Sequence, residues 1–263
     1  MTRMSPQGER EVTASMIDVV HQGPIALVTL RRPPANAMNL ELTEEIATVF
    51  QHLGQDKSVR SLVLTGQGPS FCAGVDLKSV PHFDEAQQRR MVDALNRAFY
   101  AVYSCPVPVV AAINGHAIAG GLVLALCCDW RIAVKTPFLA GLTEVRVGVP
   151  YPVGAMEVVR QELRPDVVRR LVLFGQNITA AAAVEAGVFD EAVDPESLLD
   201  SAMAKASEFA ALPQTAFARS KRQLRSRACD AMEAAIAGAE PLLNGWLSKE
   251  TIQAAAAVLA RKA

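Results

Sequence analysis

The stretch "INGHAIAGGLVLALCCDWRI", residues 113–132, decides how this chain is read. It runs as the end of a short strand, a turn carrying Gly120-Gly121, and an apolar helix with no charged side chain before Asp129. A helix without a polar face is buried on all sides. Its N-terminus leaves backbone N–H groups without partners, and glycine lets another segment or a ligand come close to that backbone. Two glycines at the mouth of a buried helix therefore mean either tight helix–sheet packing or a place where amides meet a ligand.

Working outward, a second turn of the same kind lies upstream. "FCAGVDL" (71–77) follows "SVRSLVLTGQ" (58–67), which reads as a buried strand, and "GPSFCAGVDLKSV" reads as loop and turn. "VPVVAAINGHA" (107–117) is read as one strand leading into the Gly120 turn. Two such turns could converge their amides on one oxygen and stabilise negative charge developing on a carbonyl. Neither carries the GxxxxGK[ST] of a phosphate loop or the GxGxxG spacing of a dinucleotide fold.

The rest of the first half alternates. "MIDVV" and "IALVTLRR", split by "HQGP", form a hairpin, and "RRPPANAMN" is a proline-rich break. Residues 40–56 and 84–104 have helical spacing, and "WRIAV" is a strand. Repeating strand–helix units imply a parallel-rich sheet with helices packed outside it. After Pro150 the chain is nearly all helical, with alanine-rich segments at 180–186, 197–211, 214–227 and 230–262 around a strand-like "VFDEAVD". One α/β core with a helical C-terminal region fits better than two independent domains.

Composition narrows the function. Lys and Arg total 26 against 27 Asp and Glu, and half of the residues are hydrophobic. That balance gives no reason to expect nucleic acid or a membrane as partner. The basic run Ser220–Arg227 reads as a solvated helix face, and His116 as a core histidine. Five cysteines without CxxC spacing read as buried free thiols of a reducing compartment, and four scattered histidines make no metal site. "MTRMSPQGEREV" has no apolar core of a secretory signal, so a cytoplasmic location is expected.

"RRPPANAMN", "FCAGVDLK" and "AAINGHAIAGG", in this order, resemble the crotonase (enoyl-CoA hydratase/isomerase) superfamily over essentially the whole chain. In detail, "AGGLVLALCCDWRI", "AGLTEVRVG" and "SKETIQ" are similar to the mitochondrial-type enoyl-CoA isomerases. The resemblance implies an α/β fold, a crotonase-like spiral of ββα/βαβ turns with an α-helical C-terminal trimerisation region. It divides the chain into a core with the acyl-CoA site (1–190) and a helical oligomerisation region (191–263), in a homotrimer or dimer of trimers. The ligand would be an acyl-CoA thioester. No cofactor is expected, because coenzyme A is part of the substrate. The N–H groups of Val75 and Gly120 match the oxyanion donors, and Ala73, Leu77, Gly121 and Val123 line the substrate path.

The acids discriminate between reactions. Hydratases of the superfamily use two glutamates, and one of those positions is Val123 here. The other matches Glu144, four residues before Gly148. Most glutamates are exposed, and Arg146, on the same side of an extended segment, could pair with Glu144 instead. Dienoyl-CoA isomerases and aryl-halide dehalogenases place an aspartate where Pro150 stands. One carboxylate suits a reaction that takes a proton from one carbon and returns it to another, moving a double bond from the 3,4 to the 2,3 position. An enoyl-CoA hydratase or acyl-CoA thioester hydrolase, and a non-catalytic crotonase-fold binding or scaffold protein, are the alternative readings.

Overall fold

A computed structural model of the chain describes residues 15–260. The polar N-terminal stretch and the end of the expected last helix lie outside the described residues. The strands among the described residues are β1 (Ile17–Gln22), β2 (Ile25–Leu30), β3 (Ser61–Gly66), β4 (Ser70–Cys72), β5 (Val109–Ile113), β6 (His116–Ile118), β7 (Trp130–Val134), β8 (Ala140–Gly141), β9 (Asn177–Ile178) and β10 (Glu191–Val193). The helices are α1 (Leu40–Gln55), α2 (Glu85–Tyr103), α3 (Gly120–Leu126), α4 (Val153–Glu162), α5 (Pro165–Val168), α6 (Ala180–Glu185), α7 (Leu198–Ala210), α8 (Gln214–Ala234) and α9 (Lys249–Ala260).

Six strands form one sheet in the order β1-β2-β3-β5-β7-β10, parallel apart from the β1–β2 hairpin. β3 and β5 are buried at every residue, as strands covered on both faces must be. The remaining strands, β4-β6-β8-β9, form a small second sheet. The segment 107–117, expected as one strand, is therefore two. Asn114-Gly115 breaks it, and β5 stays in the large sheet while β6 crosses to the small one. Likewise "SFC" is not loop but β4, which pairs in parallel with β6. This pairing puts the two glycine turns side by side, because each turn follows one of two neighbouring parallel strands.

Helix starts follow local chemistry. Asn39 accepts the Leu42 N–H at the start of α1, and Asp84 with Gln87 makes a reciprocal capping box on α2. The expected helix over 230–262 is interrupted. Residues 214–234 form one continuous α8, and Gly238 (φ 111°), Pro241 and Gly245 (φ 140°) then turn the chain before α9. β10 joins the large sheet and α7 packs on β3 and β5, so the sheet layer continues through the 190/191 boundary.

The basic run on α8 is only partly a solvated face. Lys221 and Arg225 are buried and grip Asp129 at 2.7 and 3.0 Å. Arg225 also reaches Glu162 at 3.3 Å and lies 4.0 Å from the centre of the Tyr103 ring. The long stems bury apolar surface while the charges meet partners, which the spacing of Lys221 and Arg225 on one helix face permits. All five cysteines are buried free thiols. No helix among the described residues is long and apolar enough to cross a membrane.

Candidate active site

Both glycine turns are built by close backbone approach. A Cβ on Gly121 would sit 1.9 Å from the Cys72 carbonyl oxygen, so only glycine lets α3 start against β4. Gly74 has φ 75°, and a Cβ there would lie 2.9 Å from the Gly120 nitrogen. The two turns thus touch. Met38 brackets Val75: its N–H donates to the Gly74 carbonyl at 2.7 Å, and its carbonyl accepts from Asp76 at 3.0 Å. That parallel bridge turns the Val75 N–H to the opposite side. Gly120 is the first residue of α3, where the helix supplies no acceptor for its N–H. Among the described residues, neither N–H donates to a backbone carbonyl.

The "RRPPANAMN" segment staples this arrangement. Arg32 pairs with Asp76 at 2.6 Å, and the buried Asn36 side chain donates to the carbonyls of Gln67 and Ser70 at 3.0 and 2.8 Å.

Val75 and Gly120 open on a cavity of about 120 Å³ that is also lined by Ala73, Leu77 and Glu144. Apart from Thr143 and Tyr151 its remaining walls are mostly apolar, with Leu95 and Phe99 from α2, Ala155 from α4, and Trp246 from the segment before α9. A wider cavity of about 590 Å³ shares Ala73, Ile118, Thr143 and Val147 with it and carries the polar side chains Ser70, His116, Arg146 and Asn177. Gly121 and Val123 lie behind this surface. Both are buried, Val123 completely, and neither lines the cavity. Gly121 acts there in helix–strand packing, and Val123 in the core.

Glu144 sits on a 3-10 turn, Glu144–Val147, rather than in an extended segment. The turn separates Glu144 from Arg146: Glu144 is 7% exposed, while Arg146 is exposed and lines the wider cavity. The expected alternative pairing therefore does not form. The Tyr151 hydroxyl donates to Glu144 Oε2 at 2.6 Å. Burial pushes the Glu144 carboxyl up from 4.5 to about 7, and the Tyr151 hydrogen bond opposes that rise. Burial beside the carboxylate raises the Tyr151 phenol well above its ordinary value. His116 is exposed, not in the core, with Nδ1 accepting from the Leu139 N–H at 3.2 Å. Among the described residues, no three His, Cys, Asp or Glu side chains gather as a metal site.

Tyr151, Trp246, Leu95 and Phe99 were not legible as site residues. They come from distant segments, and only the "PYP" punctuation marks Tyr151 locally.

The arrangement of paired amides, an apolar cavity and one buried carboxylate belongs to enzymes that act on acyl thioesters. The chain is a member of the enoyl-CoA hydratase/isomerase family, whose model matches residues 21–262. It is 28% identical to mouse mitochondrial enoyl-CoA delta isomerase 1 over 95% of this chain and 88% of that protein. It is 34% identical to a putative enoyl-CoA hydratase/isomerase of Bacillus subtilis over 75% of each. Among solved structures, a probable enoyl-CoA hydratase of Mycobacterium tuberculosis superposes with TM-score 0.79 at 29% identity, covering 85% of this chain and 94% of that one. A second structure of that mycobacterial protein describes it as an enoyl-CoA isomerase.

Proposed function

We propose that this protein is an enoyl-CoA isomerase, shifting a double bond from the 3,4 to the 2,3 position of an acyl-CoA. The observation that carries the reading is Glu144, buried on the cavity with no second carboxylate among the lining residues. The thioester oxygen would accept hydrogen bonds from Val75 and Gly120 N–H. Such a pair stabilises the enolate, each donor contributing about 3–4 kcal/mol. Glu144 takes a proton from carbon 2, giving a conjugated dienolate, and the same carboxyl returns it to carbon 4. No atom is gained or lost. The apolar walls exclude water that would otherwise add to the product. In this reading the inner cavity takes the acyl chain, and the wider one takes part of the coenzyme A moiety.

A hydratase or thioester hydrolase needs a second group to hold water. Tyr151 is the other ionisable side chain on the cavity, and its hydroxyl already donates its hydrogen bond to Glu144. A scaffold role leaves the buried Glu144 without a purpose. We also propose a cytoplasmic homotrimer or dimer of trimers, with the contacts of the trimer made in the helical region 191–263.

Purified protein incubated separately with 3-enoyl-CoA and 2-enoyl-CoA tests the reaction. Isomerisation of the 3-enoyl thioester yields a conjugated product of unchanged mass. Conversion of 2-enoyl-CoA to a product heavier by one water, at a comparable rate, would overturn the isomerase reading.

A further inference from the structure

We infer that Tyr151 is the positioning residue for Glu144, its hydroxyl occupying one carboxylate oxygen so that the other faces the substrate. The inference rests on Glu144 being the base of the proposed reaction. A single carboxylate that both removes and returns a proton must present one oxygen to two carbons in turn. A freely rotating carboxylate would offer either oxygen in several orientations. Tyr151 donates to Oε2 at 2.6 Å, no side-chain hydrogen bond among the described residues reaches Oε1, and Glu144 lines the cavity. Charge-assisted hydrogen bonds of this length are the strong ones and fix geometry.

The tyrosine is itself held on both flanks. The Trp246 indole N–H donates to the Pro150 carbonyl at 3.1 Å. On the other side, the first amides of α4 are tied down. Val153 N–H donates to Glu240 Oε2 and Gly154 N–H to Asn96 Oδ1, both at 2.8 Å. Pro150 and Pro152 restrict the backbone on either side of Tyr151. An anchored phenol makes a fixed reference against which the carboxylate is aimed. Tyr151 keeps its own proton throughout the reaction; only the proton carried by Oε1 moves.

The charged groups around the pair are few. Arg146 on the turn and Lys249 and Glu250 on α9 are exposed to solvent. Glu240 is turned to the Val153 N–H, the Asn96 side chain and the Leu242 N–H. Tyr151 is thus the side chain that favours the ionised form of Glu144 against burial, ahead of a smaller contribution from the Glu144 backbone, and its removal has a readable signature.

The test is a 13C NMR titration of protein labelled at glutamate carboxyls, with the Glu144 resonance identified by its loss in Glu144→Gln. The Glu144 midpoint is expected near about 7. Tyr151→Phe should move it up by about one pH unit. At a pH where both carboxylates are ionised, kcat should fall about tenfold while KM changes by less than about threefold. If Tyr151→Phe does not fold, 3-fluorotyrosine at 151 carries the test: its more acidic phenol should move the midpoint down. A midpoint unmoved by the phenylalanine or by the fluorotyrosine overturns the inference. A midpoint that moves in a protein with no isomerase activity upholds the Tyr151 contact and overturns the proposed reaction instead.

Discussion

Thr251 Oγ1 donates a 2.7 Å hydrogen bond to the backbone carbonyl of Gly148, four residues beyond Glu144. The C-terminal helix α9 therefore holds the turn that carries the buried carboxylate. Gly148 has φ 64° and ends that turn, and the Val149 N–H closes it on the Glu144 carbonyl at 3.1 Å. Thr251→Val keeps the shape but leaves the Gly148 carbonyl without its donor, at a cost of about 1–3 kcal/mol. Because the loss falls on the turn that aims Glu144, kcat should drop several-fold while the melting temperature falls only a few degrees. Steady-state kinetics beside a thermal melt read both, and an unchanged kcat would show that α9 does not set the aim.

Glu144 links activity and stability to pH in opposite directions. Its carboxyl titrates at about 7 in the folded protein against 4.5 ordinarily. The native state therefore binds this proton more tightly than the unfolded chain, and stability falls as pH rises through that window. Above pH 7 the buried charge costs on the order of 3 kcal/mol. Glu144→Gln should then be more stable than the parent by about that amount at pH 8, and nearly equal to it at pH 4. The same substitution should lower turnover by about 10²-fold or more. In the parent, kcat/KM should fall tenfold for each pH unit below the midpoint. Urea melts at the two pH values decide the stability claim, and equal gaps at both would refute it.

The sequence made the frame legible because the frame is local. The β1–β2 hairpin, α1, α2 and the Gly120 start of α3 follow from alternation, spacing and caps within short windows. What stayed hidden depends on distance. Nothing in "SFC" announces a strand until β6 lies beside it. Lys221 and Arg225 look solvated until Asp129 and Glu162 arrive from elsewhere in the chain. Glu144 was legible by motif, but not its partner Tyr151, because the 3-10 turn brings the two together and sends Arg146 outward. Val123 shows the limit from the other side. Its apolar character was legible, but its place one turn inside a fully buried helix puts it in the core rather than on the cavity wall.

The network around Asp129 should govern the docking of α8. Asp129 accepts from Lys221, Arg225 and the Val109 N–H at 2.7, 3.0 and 2.8 Å. Asp129→Ala leaves two buried cations short of a partner, and breaking one side of a buried pair costs about 3–5 kcal/mol. By contrast, Asp93→Ala removes the exposed pair with Arg97 and should cost less than about 0.5 kcal/mol. Denaturant midpoints of the two variants measure the contrast directly. Equal losses would mean that the buried cations find water or other acceptors.

Ala119 stands at φ 54° and ψ −130°, in a region that side-chain-bearing residues rarely adopt. Its position forces this: the Ala119 N–H donates to the Gly141 carbonyl at 2.7 Å, and its own carbonyl accepts from Leu122 and Val123 at the start of α3. Such a residue stores about 1–3 kcal/mol of strain. Ala119→Gly removes the Cβ that causes it and adds about 0.4–1 kcal/mol of unfolded-chain entropy. The net expectation is stabilisation by about 1 kcal/mol. The backbone path into Gly120 is unchanged, so its N–H keeps its direction and kcat should stay within about twofold. Ala119→Val goes the other way. A branched side chain is worse at positive φ, and the Ala119 Cβ already lies 2.8 Å from where a Gly74 Cβ would stand. That variant should lose both stability and activity. Melting curves and kcat for the two variants give the answer: a glycine variant less stable than the parent would mean that Ala119 carries no strain.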